Sequence, residues 1–451
     1  MRKLGIYVQV PFCQTKCTYC NFHTGVVASS RFAPYVEAVC REIREYRELL
    51  KAAGVDGSLG CMPGRNALVR EADETASETL RRPASEGGPY ADADLWVDTV
   101  YIGGGTPSLL DSGHLQSILD AIRETFGEGA DGEERGGRKS GGEPPHSQIG
   151  GATDEGGARG IKEVTLEADP ETVEREKVEG WVRAGINRVS FGLQSFSDKE
   201  LVAAGRMHRR ADIYRAVPIL REAGIRNISF DLIAGLPHQT KESWRQSMDE
   251  LAVLAPEHVS VYLLEIDEGS RLGKELLLGG AKYSAGAVPS EDEMADYYET
   301  AQEVLRAAGY HHYEISNWAK PGFESRHNLK YWRREPYLGF GAGAHSFSGT
   351  ERWANAHDAA AYVTAVQGGR LPVDQHETLT AESALEEELF LGLRQLDGID
   401  LGRIERDYGV RLTGRFDPLA SAGLVEREGS VVRLAPERLS VSNEVFVELM
   451  R

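Results

Sequence analysis

The sequence predicts an α/β protein: an incomplete TIM-like barrel of six parallel strands with a C-terminal winged-helix-like α+β module. Three observations predict it. Apolar, β-branched runs alternate with segments of helical period up to residue 308. The conspicuous polar and glycine residues fall at the carboxyl ends of those runs, where barrels of this kind place their chemistry. The pattern then changes, from residue 381, to three helices, a hairpin and a last helix.

The first strand is read at Leu4 to Val10, an alternating run that leads into a loop holding Cys13, Cys17 and Cys20. Arg31 to Ala53 has helical period, with Val36, Val39, Cys40 and Ile43 on one stripe, so Cys40 is expected in the core. Residues 56–94 lose periodicity and read as an insertion. Leu95 to Ile102 is a strand ending in Gly103-Gly104-Gly105-Thr106-Pro107, and Ser112 to Phe126 a helix. Residues 127–160 hold twelve glycines among charged residues. Such a segment cannot bury enough apolar surface to offset its ordering entropy, and both inserts are expected to be disordered. Strands at Lys162–Leu166, Asn187–Gly192, Arg226–Ile233 and His258–Ile266 follow. Helices at Thr172–Ala184, 198–204, 211–223, Lys241–Leu254 and 291–308 alternate with them. Glu167, Gln194 and Asp231 stand at or near the strand ends. Helices at Ala381–Leu396, Leu401–Tyr408 and Phe416–Ala422 precede two short strands within 424–434. Winged helices often bind DNA; this one has no basic face, so packing or partner docking is expected. The implied division is 1–240, the core; 241–370, the rest of the barrel; and 371–451, the C-terminal module.

With 51 Lys and Arg against 70 Asp and Glu, the net charge is −19. Phosphates would be repelled, which argues against nucleic acid as a partner. No apolar run approaches a membrane span. The start, Met-Arg-Lys-Leu-Gly-Ile-Tyr, runs directly into the first strand, so no signal peptide is expected. Five cysteines, three of them clustered, fit a reducing, cytoplasmic compartment. Cys13, Cys17 and Cys20, spaced C-x3-C-x2-C, cannot all pair as disulfides. A metal is the better reading, and an iron–sulfur cluster better than zinc. Three thiolates leave one iron with an open position. Cys61, in the first insert, is not expected to supply a fourth ligand. Glu167 and Asp231 suit hydrogen bonds from ribose hydroxyls or an ammonium; the plainer alternative is helix N-capping. Gln194 and Arg206 offer donors, with a surface ion pair the plainer role for Arg206. His311 and His312 are expected on a solvated helix end, and His345 in a turn.

The cysteine spacing, Tyr19 before Cys20 and the preceding strand resemble the radical S-adenosylmethionine (SAM) superfamily. That resemblance implies a [4Fe–4S] cluster held by three cysteines, its open iron chelating SAM. Several further stretches, among them Tyr-Val-Gln-Val-Pro-Phe-Cys, Gly-Gly-Gly-Thr-Pro-Ser, Leu-Glu-Ala-Asp-Pro, Phe-Gly-Leu-Gln-Ser-Phe and Gly-Arg-Met-His, resemble the oxygen-independent coproporphyrinogen III dehydrogenase (HemN) family. By motif, Tyr7, Gly104 and Glu167 would contact the cluster-bound SAM. Tyr19, Gly105, Thr106, Gln194, Arg206 and Asp231 would face a second SAM position. The dehydrogenases carry a further cysteine two residues past the third, where this chain has Phe22, and an extension before the first strand. These departures, with His327-Asn-Leu-Lys-Tyr-Trp332 matching a His-Asn-x-x-Tyr-Trp motif, resemble the haem-chaperone (HemW) branch. The branch implies His327 as an axial ligand to haem iron, with Tyr331 and Trp332 as apolar surface, and no coproporphyrinogen dehydrogenase activity. The implied partners are haem, a haem-acceptor protein, an electron donor such as flavodoxin or ferredoxin, and peripheral membrane contact. The rivals are the dehydrogenase itself and a zinc-stabilised binding protein.

Overall fold

The computed structural model describes residues 2–52, 95–127 and 160–449. Cys61 and nearly all of both expected inserts lie outside the described residues. The strands in chain order are β1 (Arg2–Val10), β2 (Phe12–Cys13), β3 (Gly25–Val26), β4 (Leu95–Gly104), β5 (Glu163–Ala168), β6 (Arg188–Gln194), β7 (Asn227–Ala234) and β8 (His258–Leu263). They continue with β9 (His311–Glu314), β10 (Asn317–Ala319), β11 (Tyr337–Phe340), β12 (His345–Phe347), β13 (Glu351–Asn355) and β14 (Val373–Thr378). In the C-terminal module lie β15 (Ile399–Asp400), β16 (Val425–Glu428) and β17 (Val431–Leu434).

Twelve strands form one sheet in the order β14-β13-β12-β11-β1-β4-β5-β6-β7-β8-β10-β9. β1, β4, β5, β6, β7 and β8 are the six parallel strands read from the sequence, each paired in parallel with the next, with register shifts at Leu4/Gly5 of β1 and Gly192/Gln194 of β6. The sheet does not close on itself, so the barrel is partial. A seventh parallel strand, β11, lies beside β1 and was not legible. Antiparallel strands extend both edges: β12 to β14 beyond β11, and β10 and β9 beyond β8.

Period-two alternation explains the burial. Ile6, Val8 and Val10 of β1, Val100 and Ile102 of β4, and Val189, Phe191 and Leu193 of β6 are buried against the outer helices. Tyr7, Tyr101, Glu167 and Asp231 occupy the other phase. The helix Phe32–Ala52 buries Val36, Val39, Cys40 and Ile43, as expected. It is tied down by Glu42, which accepts hydrogen bonds from Tyr362 Oη (2.6 Å), Asn355 Nδ2 (2.7 Å) and the Gly341 amide (2.9 Å).

The C-terminal helices Ala381–Leu393, Leu401–Tyr408 and Thr413–Ser421, the three-stranded sheet β15-β17-β16 and the helix Ser442–Leu449 make the winged-helix-like module. Thr380 caps the first helix through the Ser383 amide. The main apolar core runs from Leu4 to Leu449, with a smaller cluster around Leu236, Leu264 and Leu272. Among the described residues no helix is long and apolar enough to cross a membrane.

Three histidine expectations are corrected. His311 and His312 lie in β9, not at a helix end: the preceding helix ends at Ala307, and a short turn leads into the sheet edge. The His312 ring stacks on Trp318, with centroids 4.0 Å apart. His345 opens β12 and is exposed, rather than holding a turn.

Candidate functional site

Cys13, Cys17 and Cys20 face one cavity of about 620 Å³ at the carboxyl end of the parallel strands. The same cavity is lined by Tyr19, Gly104, Gly105, Thr106, Glu167, Gln194, Arg206 and Asp231. Every site residue read from the sequence therefore converges there except Tyr7 and His327. Tyr7 lies one layer behind, its ring stacked on Tyr101 at 6.0 Å.

The cysteine loop is held from several sides. β2 pairs with β3, and the Gly25 amide reaches the Pro11 carbonyl at 2.9 Å. Thr18 binds the Ala204 carbonyl through its amide at 3.0 Å, and its own carbonyl accepts from the Leu272 amide at 2.8 Å. Among the described residues the cysteines are free thiols. Burial raises the Cys13 thiol pKa, opposed by hydrogen bonds with Thr24 and Thr106. The three side chains do not converge as on a single ion, and among the described residues no such single-ion cluster occurs. Three thiols on one cavity wall are a donor set suited to an iron–sulfur cluster.

The glycine run is required by close packing around the end of β4. β4 extends through Gly104, so these residues belong to the strand end. Gly104 sits at φ +115°, a region costly for residues with a side chain, and a Cβ there would strike the Gln9 amide. A Cβ at Gly103 would crowd Glu167 and Tyr101, and one at Gly105 would enter the Phe12 backbone. The glycines thus let β4 press against β1, the cysteine loop and Glu167.

Glu167 is fixed by two donors, the Gly104 amide at 2.8 Å and Tyr101 Oη at 2.9 Å. It caps no helix. Burial pushes its carboxyl pKa up to about 7, with those hydrogen bonds acting in the opposite sense. Asp231 accepts from Ser190 Oγ at 3.0 Å, and burial raises its pKa too. Gln194 adopts φ +65°, a strained turn at the end of β6 that aims it into the cavity.

Arg206 corrects the surface-pair alternative. Its side chain is 10% exposed. The guanidinium is paired with Asp169, donates to the Gly192 carbonyl at 2.7 Å and lies 3.4 Å from Cys17 Sγ. Asp169 also accepts from Thr106 Oγ1 at 3.1 Å, so one carboxylate joins two cavity residues. Asp169 was missed; its signal was the strand period, two residues after Glu167 on the same face.

His327 stands apart. It lies in the helix Arg326–Trp332, is 0% exposed, and packs beneath Tyr101 at 5.4 Å between ring centroids. Both ring nitrogens are engaged: Nδ1 with Thr99 Oγ1 and Nε2 with Tyr331 Oη, each at 2.9 Å. Burial lowers its pKa to about 3, so the ring is neutral. Tyr331 packs edge-on against His327 and Tyr337, and Trp332 carries the Arg394 guanidinium. In this conformation the motif is a packed joint, not an open face for a porphyrin.

The Radical SAM superfamily matches residues 7–251, and the HemN C-terminal domain matches residues 379–437. The chain is 32% identical over 444 residues to the "Heme chaperone HemW" of Bacillus subtilis, covering 98% of this chain and 97% of that protein. It is also 32% identical to the protein of the same name from Synechocystis, over 87% of this chain and 78% of that one. The solved coproporphyrinogen III oxidase (HemN) of Escherichia coli superposes with a TM-score of 0.72 over 99% of this chain and 90% of its own. At 20% identity that likeness speaks to the fold alone.

Proposed function

The chain belongs to the radical SAM superfamily and, within it, to the HemN-like family on the HemW branch, and from that premise we propose that it is a haem chaperone, binding haem and delivering it to haem-dependent proteins. The observation that carries the reading is the joint placement of three cysteines, the β4 glycines and Glu167 on one cavity. They stand in a chain similar from end to end to a protein named a haem chaperone.

In this reading Cys13, Cys17 and Cys20 hold a [4Fe–4S] cluster. Gly104 and Glu167 would contact the SAM on the cluster, and Tyr7, behind the cavity wall, would act on that SAM only through Tyr101. Tyr19, Gly105, Thr106, Gln194, Arg206 and Asp231 face a second SAM position. The cluster and the SAM on it, when bound at the cysteine end, would supply one-electron chemistry at the sulfonium. The protein's own part is to orient and enclose: Glu167, fixed by Gly104 and Tyr101, presents an acceptor, and the Arg206–Asp169 pair braces Cys17. An electron donor of the flavodoxin or ferredoxin class, and peripheral membrane contact at hand-over, complete the proposal. Cofactor binding is assigned to 1–240, the haem motif to 241–370 and acceptor docking to 371–451.

His327 is proposed as the haem ligand only after the helix Arg326–Trp332 frees the ring from Thr99 and Tyr331. The test is anaerobic haem titration of the cluster-reconstituted protein, with an assay for protoporphyrinogen formed from coproporphyrinogen III. Stoichiometric haem binding without product supports the reading; product formation would replace it with the dehydrogenase. If His327→Ala binds haem unchanged, the ligand assignment fails and the chaperone reading stands.

A further inference from the structure

Arg188 opens β6, at the amino end of the barrel. It is 1% exposed, among the largest fully buried side chains of the protein. Its side chain nevertheless lines the cavity that the cysteines close at the other end. Gln194, six residues further along the same strand, lies at the cysteine end, so the cavity runs about 20 Å along β6. Among the described residues no carboxylate forms an ion pair with Arg188, and its buried Nε has no hydrogen-bond partner.

The groups within electrostatic reach of the guanidinium do not neutralise it at contact. Asp231 takes a hydrogen bond from Ser190 instead. His258 uses both ring nitrogens, with Ser229 Oγ and Tyr313 Oη at 2.8 Å each. Tyr101 donates to Glu167, and His327 is closed by Thr99 and Tyr331. A buried guanidinium without a contact partner is costly to the empty protein. It is the group best shaped to grip a planar carboxylate with two parallel hydrogen bonds.

We propose that Arg188 is the receptor for a carboxylate of the ligand that occupies this cavity. Two ligands of the proposed function carry that group free of the cluster: haem, through a propionate, and the SAM of the second position, through its methionine end. The haem arm rests on the chaperone reading; the SAM arm does not.

The experiment compares wild type, Arg188→Met and Arg188→Lys, each with its cluster reconstituted. Each is titrated with haem, with haem dimethyl ester and with SAM, and the apo proteins are melted. Arg188→Met is expected to weaken one carboxylate ligand by about 10- to 100-fold. Arg188→Lys should restore part of that loss. Apo Arg188→Met should melt no lower than wild type, because it removes a buried charge that has no contact partner among the described residues. If the haem arm responds, the dimethyl ester should bind wild type as weakly as haem binds Arg188→Met. If only the SAM arm responds, the carboxylate is that of SAM. Unchanged affinity for both ligands overturns the proposal, as does a large loss of apo stability in Arg188→Met with ligand affinities intact, the mark of a structural counter-ion. Wild type that binds no haem defeats the chaperone reading, and the SAM arm still decides Arg188.

Discussion

Glu167 links the glycine strand to the cavity through two short hydrogen bonds, and a carboxyl pushed up to about 7 is a sensitive reporter of what enters. Glu167→Gln keeps the shape and can still accept from the Gly104 amide, but it removes the carboxylate charge and turns its NH2 toward Tyr101 Oη. It should weaken SAM binding about tenfold or more while the cluster stays intact, read by titration and the cluster spectrum. Cys13→Ala, Cys17→Ala and Cys20→Ala should each abolish a stable cluster, seen as loss of bound iron and sulfide, whereas Cys40→Ala should leave iron content unchanged. The cysteines were legible because their spacing is local. Asp169 and Arg188 were not, because their roles depend on which strands meet: a pair across 37 residues in one case, and in the other a guanidinium whose Nε has no hydrogen-bond partner among the described residues. His327 was legible as a motif, but its sealing by Thr99 and Tyr331 was not, since Thr99 lies 228 residues away in sequence.

At the scale of elements, β4 is two residues longer than its apolar run, because Gly103 and Gly104 continue pairing with Gln9 and Val10. Gly104→Ala must hold an alanine at φ +115° against Gln9. It should destabilise the fold by about 1–3 kcal/mol in denaturant titration and abolish SAM binding. The helix Phe32–Ala52 offers a pH test away from the cavity. Burial pushes the Glu42 carboxyl up to about 7 from its ordinary 4.5. The native state therefore holds a proton that the unfolded chain releases, so this stabilisation is full below about pH 4.5 and is lost as pH rises through about 7. The loss should reach about 3 kcal/mol at most. Glu42→Gln should flatten that part of the stability–pH curve. β11 was not foreseen because four residues carry too little period to identify a strand, and its place beside β1 is set by tertiary pairing.

For the whole molecule, strand alternation, the strand-end chemistry and the C-terminal change of pattern were enough to read a partial parallel barrel with an appended module. The edges were not readable, since β9, β10 and β12 to β14 are short antiparallel additions whose order depends on the sheet already being formed. The open sheet and the main core from Leu4 to Leu449 bring Ser442 and Asn443 of the last helix to the cavity wall. The C-terminal module thus forms part of the cavity wall. The measurement that bears most directly on the central claim is anaerobic haem titration of the cluster-loaded protein, followed by transfer to an apo haem protein and an assay for protoporphyrinogen. The expected result is one saturable haem site, transfer to the acceptor and no decarboxylated product; absence of haem binding, or turnover of coproporphyrinogen III, would contradict it.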